Sequence, residues 1–461
     1  MISKITKPTP IFCLISIIIF CFSENRTVSA STEPIINVLI LKDKKIRIRA
    51  DRSIPLTING QRFSNKKIKG LTLKKQNYRT TLIFDKNKQK IYDLKNKEKF
   101  LVRSSDRRGI WVGQKRYAGK LNIFISDNHI LVVNVLGIEK YLGSVVGSEM
   151  PAKWPLEALK AQAIASRTYA LKQKGNPLYD IDSTNMNQVY IGLEAGTHKT
   201  KRAVNSTRSL VLTYENKLIN ALFHSSSAGM TENSQDVWKN KYPYLSSVKD
   251  FDKNNPKLRW NQKFSKSQLQ KLFPRIGGIN KIEILNVTST GRVKNVRIHG
   301  DFGTDQISGV DIRKKMNLKS TLVRFKFVED NEFKSLNDTP KLLSTNGLEN
   351  EPLTHIVRVG DTLIVIADQY DVSVEEIVAL NNIKDSSIIK IGQRLLVPRN
   401  PLNSSSSPAK ILVVSGFGSG HGVGMSQWGA KHMANQGAKA KTILKHFYKG
   451  VEIKPFKKYF L

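Results

Sequence analysis

Cysteine is almost absent from this chain of 461 residues, which contains only Cys13 and Cys21. Both lie in the first thirty residues, where a short basic start is followed by an apolar run over positions 11–22. The remaining sequence therefore offers no disulfide, no thiolate metal site and no cysteine nucleophile. It also lacks His-Glu-x-x-His, and no Gly-Lys-Ser/Thr follows its glycine-rich stretch, which excludes a zincin motif and a phosphate loop.

The first thirty residues have the layout of a secretory signal peptide, with a basic start, a short apolar run and the small-x-small ending Val28-Ser29-Ala30. The run is too short to span a bilayer permanently. We predict cleavage after Ala30, because the bulky Phe20 disfavours lipid attachment at Cys21. No later apolar run has the length of a membrane span. We therefore expect a secreted protein of the periplasm or cell wall, without a stable membrane anchor.

Acidic residues are few relative to basic ones, 37 against 75, and the formal net charge is +38. Such an excess attracts polyanions over long range. For an exported protein we expect the anionic cell wall or a lipid surface, and no nucleic acid, as the partner. The alternative is a lysine-rich solvated surface without a specific partner, since the lysines are spread along the chain.

Hydrophobic periodicity divides the sequence into regions of different structure. Residues 36–135 alternate apolar and polar side chains, which predicts a β-rich region of short strands. From residue 138 the pattern is helical, with one helix ending at Gly147 and a second running from Pro155 to near Gly175. Mixed segments follow to about residue 335, and a strand and helical sequence return after residue 408. The predicted fold class is α+β.

Two polar, linker-like segments, 336–352 and 400–407, bracket a compact unit at 353–399. The unit reads strand, helix, helix, strand, with turns at 359–363 and 391–393 and a Leu380-Asn381 pair between them. Over its full length it resembles the lysin motif (LysM) domain. The resemblance implies binding of N-acetylglucosamine polymers, in particular peptidoglycan; the alternative is a packing domain without a ligand. The implied glycan-binding residues, in two neighbouring loops, are Gly360, Asp361, Thr362, Asn381, Asn382 and Ile383.

One acidic residue has unusual neighbours. Glu149, in VVGSEMPAKWP, lies between apolar runs rather than among lysines. The nearby acids Glu139 and Glu157 are accompanied by Lys140 and Lys160, so we predict that both lie on exposed helix faces. From the residues alone, Glu149 is either a working acid or a carboxylate at a helix end.

Several separated stretches, 141–171, 183–192, 223–238, 307–320 and 418–453, resemble the stage II sporulation protein D (SpoIID/LytB) family. The resemblance covers nearly all of the sequence outside the signal peptide and the LysM unit. It implies one mixed α/β domain in two segments, 36–335 and 408–461, β-rich to about 135 and motif-bearing from 138. The small βααβ LysM domain interrupts it.

The enzymatic members of that family are lytic transglycosylases, which cut the bond between N-acetylmuramic acid and N-acetylglucosamine. The resemblance places their acid at Glu149 and implies glycan strands denuded of stem peptides as substrate. One carboxylate suffices because the 6-hydroxyl of the sugar replaces the water that ordinary glycosidases activate. Family relatives called amidase enhancers provide the alternative, a non-catalytic activator of a cell-wall amidase.

Further residues are candidates for the substrate groove. Arg167 would orient a substrate group or steady Glu149, with a surface salt bridge as the alternative. The motif GSGHGVGMSQWGA would direct its polar side chains into the groove from a helix beginning near Met425. The other candidates are either polar groove walls or satisfied core residues. The full set is Arg167, Gln188, Tyr190, His224, Ser225, His421, Ser426 and Gln427.

No cofactor is expected. Some family members hold a zinc ion with cysteines, and this chain has none after residue 30. We therefore predict no metal.

Overall fold

The computed structural model describes residues 33–457 except 52–53, 62, 78, 85–86, 96, 174–175, 185–186, 239, 330–351, 358–360, 371, 384–388 and 399–409. The predicted signal peptide lies outside the described residues, as does most of the two predicted linkers. Helices and strands are mixed throughout, so the prediction of an α+β fold is confirmed. In the described part of the chain, no helix is long and apolar enough to cross a membrane.

The N-terminal region consists of short strands. They are β1 (Ile35–Asp43), β2 (Lys45–Arg49), β3 (Leu56–Gly60), β4 (Phe63–Ile68), β5 (Gly70–Gln76), β6 (Arg79–Phe84), β7 (Asn87–Leu94), β8 (Lys99–Arg103), β9 (Ile110–Val112), β10 (Lys115–Tyr117), β11 (Lys120–Ile125) and β12 (Ile130–Gly137). One sheet has the order β10-β9-β2-β5-β6-β7, and the other has the order β1-β12-β11-β8-β3-β4. Buried and less buried residues alternate in strands such as β6, as expected for sheets with one face on a core.

The next region contains most of the helices. Its elements are α1 (Ile138–Glu149), α2 (Leu156–Lys172), β13 (Ile181–Asp182), a 3-10 turn (Leu193–Ala195), α3 (His198–Asn205), β14 (Leu210–Tyr214), β15 (Lys217–Leu218), β16 (Phe223–His224) and α4 (Ser234–Val237). α2 is buried along most of its length, and its alanines allow α1 and α3 to pack closely against it. β13 joins the edge of the second sheet beside β1.

The first predicted helix does not end at Gly147 as expected; α1 continues to Glu149. A Cβ atom at Gly147 would lie 1.9 Å from the carbonyl oxygen of Ala195. The glycine therefore allows the 3-10 turn to pack on the helix, and it is not a stop signal. Pro151 disfavours helical backbone at Met150, which is extended, and Glu149 is thus the last helical residue.

A second hydrophobic core lies among the elements that follow: β17 (Arg259–Phe264), α5 (Lys266–Leu272), a 3-10 turn (Pro274–Ile276), β18 (Lys281–Val287), β19 (Val293–Gly300), β20 (Gly303–Ser308), α6 (Gly309–Lys315) and β21 (Val323–Glu329). β18, β19 and β20 form one antiparallel sheet. β17 and β21 belong to another sheet, and the strand between them comes from the C-terminal part of the chain.

The LysM-like unit contains β22 (Leu353–Ile356), α7 (Leu363–Tyr370), α8 (Val374–Leu380) and β23 (Arg394–Val397). The two strands pair antiparallel, in the predicted strand–helix–helix–strand order. A small core of its own, which includes Leu363, Ile366, Ile377 and Leu395, holds the unit together.

The C-terminal segment contains β24 (Lys410–Phe417), β25 (Met425–Ser426), α9 (Gln427–Asn435), α10 (Ala440–Phe447) and β26 (Glu452–Pro455). β24 lies between β17 and β21, β25 pairs with β16, and β26 pairs with β14. The last helix pair packs on α2. The segment thus contributes to two cores: Ile443 and Phe447 belong to the large core around α1 and α2, and Leu412 and Val414 belong to the second core. α9 begins at Gln427 rather than near Met425, because Met425 and Ser426 pair as a strand with β16.

Candidate functional site

Glu149 lies where three parts of the chain meet. Its Oε1 accepts a hydrogen bond from the backbone N–H of Val189 at 2.8 Å. Its Oε2 accepts one from Nε2 of Gln427, the first residue of α9, at 3.3 Å. The side chain is half-buried at the C-terminal end of α1. The carboxylate is therefore held by one main-chain donor and one neutral side-chain donor.

Burial raises the pKa of Glu149 above its ordinary value, and the hydrogen bonds from Val189 and Gln427 oppose the rise in part. The desolvation effect dominates because neither donor carries a charge. A carboxyl in this setting holds its proton to higher pH than an exposed one. That property suits an acid that must deliver a proton at the start of a reaction.

Gln188 and Tyr190 are buried, so their side chains are not exposed to a ligand in the way that the sequence predicted. The hydroxyl of Tyr141 donates to Oε1 of Gln188 at 3.0 Å, and Nε2 of Gln188 donates to the main chain of α2 at 3.1 Å. The Tyr190 hydroxyl donates to Asn134 at 2.8 Å. The two residues are therefore core residues whose polar groups are hydrogen-bonded, which is the alternative that the sequence left open. They fix the main chain on both sides of Val189, and so help to position its N–H.

Arg167 is fully buried and is committed to Glu139, not to Glu149 or to a substrate. Its Nη2 and Nε atoms lie 2.6 and 2.9 Å from the two carboxylate oxygens of Glu139, and Nη1 donates to the carbonyl of Leu210 at 3.0 Å. Its predicted roles at the site and as a surface residue are therefore both wrong. The exposed position predicted for Glu139 is wrong as well, because packing of α2 on α1 brings the two charges together.

Glu157, the other rival acid, is partly exposed. It pairs with Lys160 at 2.8 Å and accepts the backbone N–H of Ala440 at 2.9 Å. Desolvation by partial burial acts to raise its pKa, but the two hydrogen bonds and the charges of Lys160 and Lys439 together outweigh it, so the pKa is lowered. A carboxyl held ionised in this way is poorly suited to act as an acid.

His224 and His421 lie against each other, with ring centroids 5.5 Å apart. Burial, with the charges of Arg313 and Arg292 adding to it, lowers the pKa of His421 to about 3. Burial also lowers the pKa of His224 well below its usual range. Both rings are therefore neutral near pH 7. They can serve as hydrogen-bonding groups but not as proton donors of imidazolium type.

The two histidines differ in their surroundings. His421 is half-buried, accepts the backbone N–H of Val423 at 3.1 Å and lies 5.2 Å from the ring of Trp238, whose side chain is exposed. His224 is buried, and its Nδ1 contacts the Val423 carbonyl at 3.1 Å. Of the two, only His421 is partly exposed, so its predicted contact with a substrate stays a prediction.

The two serine candidates, Ser426 and Ser225, also differ in how far they are buried. Ser426 is buried and caps α9, its Oγ accepting the N–H of Gly429 at 3.1 Å, so it does not line a groove. Ser225 is half-buried, and its carbonyl accepts the N–H of Trp428 at 3.1 Å. β16, next to Ser225, and β25, next to Gln427, are paired strands, which places these two residues on neighbouring segments.

The site also depends on residues that the sequence did not indicate. The guanidinium of Arg292 is buried beneath the glycine-rich turn, and a Cβ at Gly422 would lie 2.8 Å from its Cζ. Arg292 donates to the carbonyl of Ser227 at 2.7 Å and lies 3.7 Å from Glu232. Gly422 itself signals close approach of a group, but no local pattern reveals which one.

Asp250 and Asp252 hold the serine-rich loop from the other side. Ser227 donates its hydroxyl to Asp250, and Ser226 donates to Asp252, which also accepts the N–H of Ala228 at 2.7 Å. Burial, together with the neighbouring Asp252 carboxylate, raises the pKa of Asp250 to about 6. These bonds are a structural reason for the run of serines after His224.

In the LysM-like unit, the predicted residues have different environments. Gly360 lies outside the described residues. Asp361 contacts His355 at 2.9 Å, and the Thr362 hydroxyl accepts the N–H of Val365 at 3.2 Å. The side chain of Asn381 bonds to the main chain of α8 and β23. Asn382 is exposed and Ile383 is half-buried. The glycan-binding roles of these residues stay predictions.

Across the described residues, no group of three or more His, Cys, Asp or Glu side chains is placed to hold a metal ion. The absence of a metal and a cofactor stays a prediction.

Comparison with known proteins finds two protein families that match this chain. The family described as "Stage II sporulation protein" matches residues 126–214, the stretch that contains Glu149 and Val189, and the LysM domain family matches residues 355–398. The stage II sporulation protein D of Bacillus amyloliquefaciens is 30% identical over 355 residues, covering 72% of this chain and 77% of the relative. The chain belongs to the stage II sporulation protein D family.

Two further relatives support this assignment. The stage II sporulation protein D of Bacillus subtilis is 30% identical over 342 residues, which cover 70% of this chain and 75% of the relative. A B. subtilis protein named "Amidase enhancer" is 30% identical over 318 residues, which cover 68% of this chain but 40% of that longer protein. The resemblances to the SpoIID/LytB family and to LysM drawn from the sequence are thus confirmed.

Proposed function

We propose that this chain is a peptidoglycan lytic transglycosylase in which Glu149 is the single acid and base. The observation that carries the proposal is the environment of its carboxyl. The group is desolvated enough to raise its pKa, it has only neutral donors, and in the described part of the chain it forms no ion pair. The rival acids Glu139 and Glu157 are both paired with cations.

The reaction proposed for this site balances without water. Glu149 gives its proton to the glycosidic oxygen as the bond from C1 of N-acetylmuramic acid to that oxygen breaks. The resulting carboxylate then takes the proton of the 6-hydroxyl as O6 bonds to C1, which closes a 1,6-anhydro ring. The acid is regenerated, so a second carboxylate is not required.

The neighbours of Glu149 support such a cycle. The N–H of Val189 and the amide of Gln427 stabilise the carboxylate that forms midway, and they do not remove it from use as a base, because neither is charged. We further propose that 36–335 and 408–461 act as one catalytic domain. The LysM unit would then bind peptidoglycan and keep this domain on its substrate.

Digestion of purified sacculi, both native and denuded of stem peptides, tests the proposal. Mass spectrometry should find 1,6-anhydro-muramic ends, which are lighter than hydrolysis products by one water. Release of reducing muramic ends instead would indicate a hydrolase. The absence of any new glycan end from both substrates would overturn the proposed activity.

A second candidate function follows from the relative named "Amidase enhancer". In that case the chain binds glycan and raises the rate of a separate cell-wall amidase. The same digestion with an added amidase distinguishes the two. An activator increases peptide release by the amidase without forming anhydro ends, and it does so equally well when Glu149 is replaced by Gln.

A further inference from the structure

A cleft of about 530 Å³ lies beside α1, near the end of the helix opposite to Glu149. It is bounded by the loop before β9, by β10, by α1 and by the segment from Leu193 to Arg208. Its volume is in the range of ligand-binding pockets. We call it the basic cleft, after its cationic lining residues, which are Arg107, Arg108, Arg116, Lys140, Lys201 and Arg208.

Some of these cations already have carboxylate partners. Arg108 pairs with Asp106 at 2.7 Å and with Asp51 at 3.1 Å. Arg116 pairs with Glu194 at 2.9 Å. These pairs fix the wall of the cleft, and the guanidinium of Arg116 also lies 5.3 Å from the ring centre of Trp111. The wall is therefore organised before any ligand arrives.

The two acidic lining residues are also engaged. Glu33 pairs with Arg208 at 2.9 Å and accepts the backbone N–H of Glu139 at 2.8 Å. Glu139 itself pairs with the buried Arg167 at 2.6 Å. The carboxylates that line the cleft are thus not available to neutralise its remaining cations.

Three lining cations, Arg107, Lys140 and Lys201, are exposed and have no carboxylate partner among the described residues. They come from three different elements: the loop before β9, α1 and α3. Like charges that converge on a concave surface repel one another, and the repulsion is relieved when an anion enters. Two of the three are lysines, which act as point charges and do not require the planar geometry that arginine selects.

We propose that the basic cleft binds oxyanions, carboxylate or phosphate, carried by a cell-wall polymer. The proposal rests on the proposed function only in placing the chain at the wall; it does not require Glu149 to be catalytic. Lys140 and Glu149 are nine positions apart on α1, or about 13 Å along the helix axis. A polymer held in the cleft therefore leaves the carboxyl of Glu149 free for a glycan strand.

Binding measurements on the full mature chain test this inference. The cleft variant carries Arg107→Gln, Lys140→Gln and Lys201→Gln. The control variant carries Arg324→Gln, Lys326→Gln and Lys441→Gln, which are exposed cations outside the cleft lining. Both variants lose three positive charges, so non-specific attraction falls equally. Thermal unfolding should show both folded, and the cleft variant at least as stable as the wild type because repulsion is relieved.

Three probes separate the sources of the anion: poly(glycerol phosphate) for phosphate, soluble peptide-bearing muropeptides for carboxylate, and a neutral chitooligosaccharide for the LysM unit. We expect the cleft variant to bind one or both anionic probes about tenfold more weakly, the loss expected from three exposed charge contacts. The control variant should stay within about twofold of the wild type on every probe, and chitooligosaccharide binding should not change.

The affected probe identifies the source of the oxyanion. Equal affinities of the cleft and control variants for both anionic probes would overturn the inference. So would a wild type that binds neither of them. A wild type that binds an anionic probe through the cleft but forms no anhydro ends would instead refute the proposed catalytic function alone.

Discussion

Nε2 of Gln427 lies 3.3 Å from Oε2 of Glu149, a contact between residues 278 positions apart. It joins the first residue of α9 to the last residue of α1. Neither helix end has this environment alone, because the carboxyl of Glu149 is bonded on one side by Val189 and on the other by the C-terminal segment. The candidate site is therefore a product of tertiary packing across the whole chain.

The replacement Glu149→Gln keeps the size of the side chain but removes the transferable proton. Loss of general acid–base catalysis costs on the order of 10²–10⁴-fold in rate, and one residue serves both proton transfers here, so we expect the upper end. Release of anhydro ends from denuded glycan measures it. Normal release by the variant would show that Glu149 is not the acid.

The same variant has a predicted effect on stability. Because the pKa of Glu149 is raised in the folded protein, the folded state binds this proton more tightly than the unfolded state does. The resulting stabilisation is complete below the unfolded pKa and is lost as pH rises through the folded pKa. Glu149→Gln lacks this dependence, so its melting temperature relative to that of the wild type should increase from pH 4 to pH 8.

Gln427→Leu tests how the C-terminal segment tunes the acid. The amide of Gln427 stabilises the carboxylate and so lowers the pKa of Glu149. Its removal should raise that pKa further and move the alkaline limb of kcat/KM to higher pH, since the reaction needs the protonated form. Gln436→Leu, at the exposed end of the same helix, is the matched control. An alkaline limb that stays in place, or moves to lower pH, would refute this tuning.

Arg167 should matter for stability rather than for substrate binding. Breaking a buried ion pair by removing one partner typically costs about 3–5 kcal/mol, because the other charge stays buried without compensation. We expect Arg167→Met to lower the free energy of unfolding in urea by this amount, and Arg167→Met with Glu139→Leu to recover much of it. Activity per folded molecule on short glycans should change little. A raised KM with unaltered stability would instead indicate contact with substrate.

Local patterns predicted some features and missed others for physical reasons. Alternation and helical periodicity indicated the strands of 36–135 and the helices around Glu149, because they report which face of an element is buried. The helix end predicted at Gly147 is wrong, since a glycine that allows close packing has the same local pattern as a helix stop. The role predicted for Arg167 is wrong because its pairing with Glu139 depends on how α1 and α2 pack, which the local sequence does not show. Val189 acts through its main chain, which no side-chain pattern reveals.

Deletion of 340–405, with a short flexible linker across the gap, should leave the larger domain folded. Glu329 of β21 and Lys410 of β24 are antiparallel partners, so the two chain ends at the insertion lie on adjacent strands. Binding to sacculi should weaken because the LysM unit is gone, while cleavage of short soluble glycans should persist. Loss of cooperative unfolding in the deletion variant would show that the insert has a structural role.

Truncation after Pro408 should be far more damaging than deletion of the insert. It removes β24, the central strand between β17 and β21, and with it Leu412 and Val414 of the second core. It also removes Gln427 and the helices that pack on α2. We expect loss of both cooperative urea unfolding and glycan cleavage. A truncated chain that unfolds cooperatively and still cuts glycan would refute both the two-segment domain and the site roles assigned to His421 and Gln427.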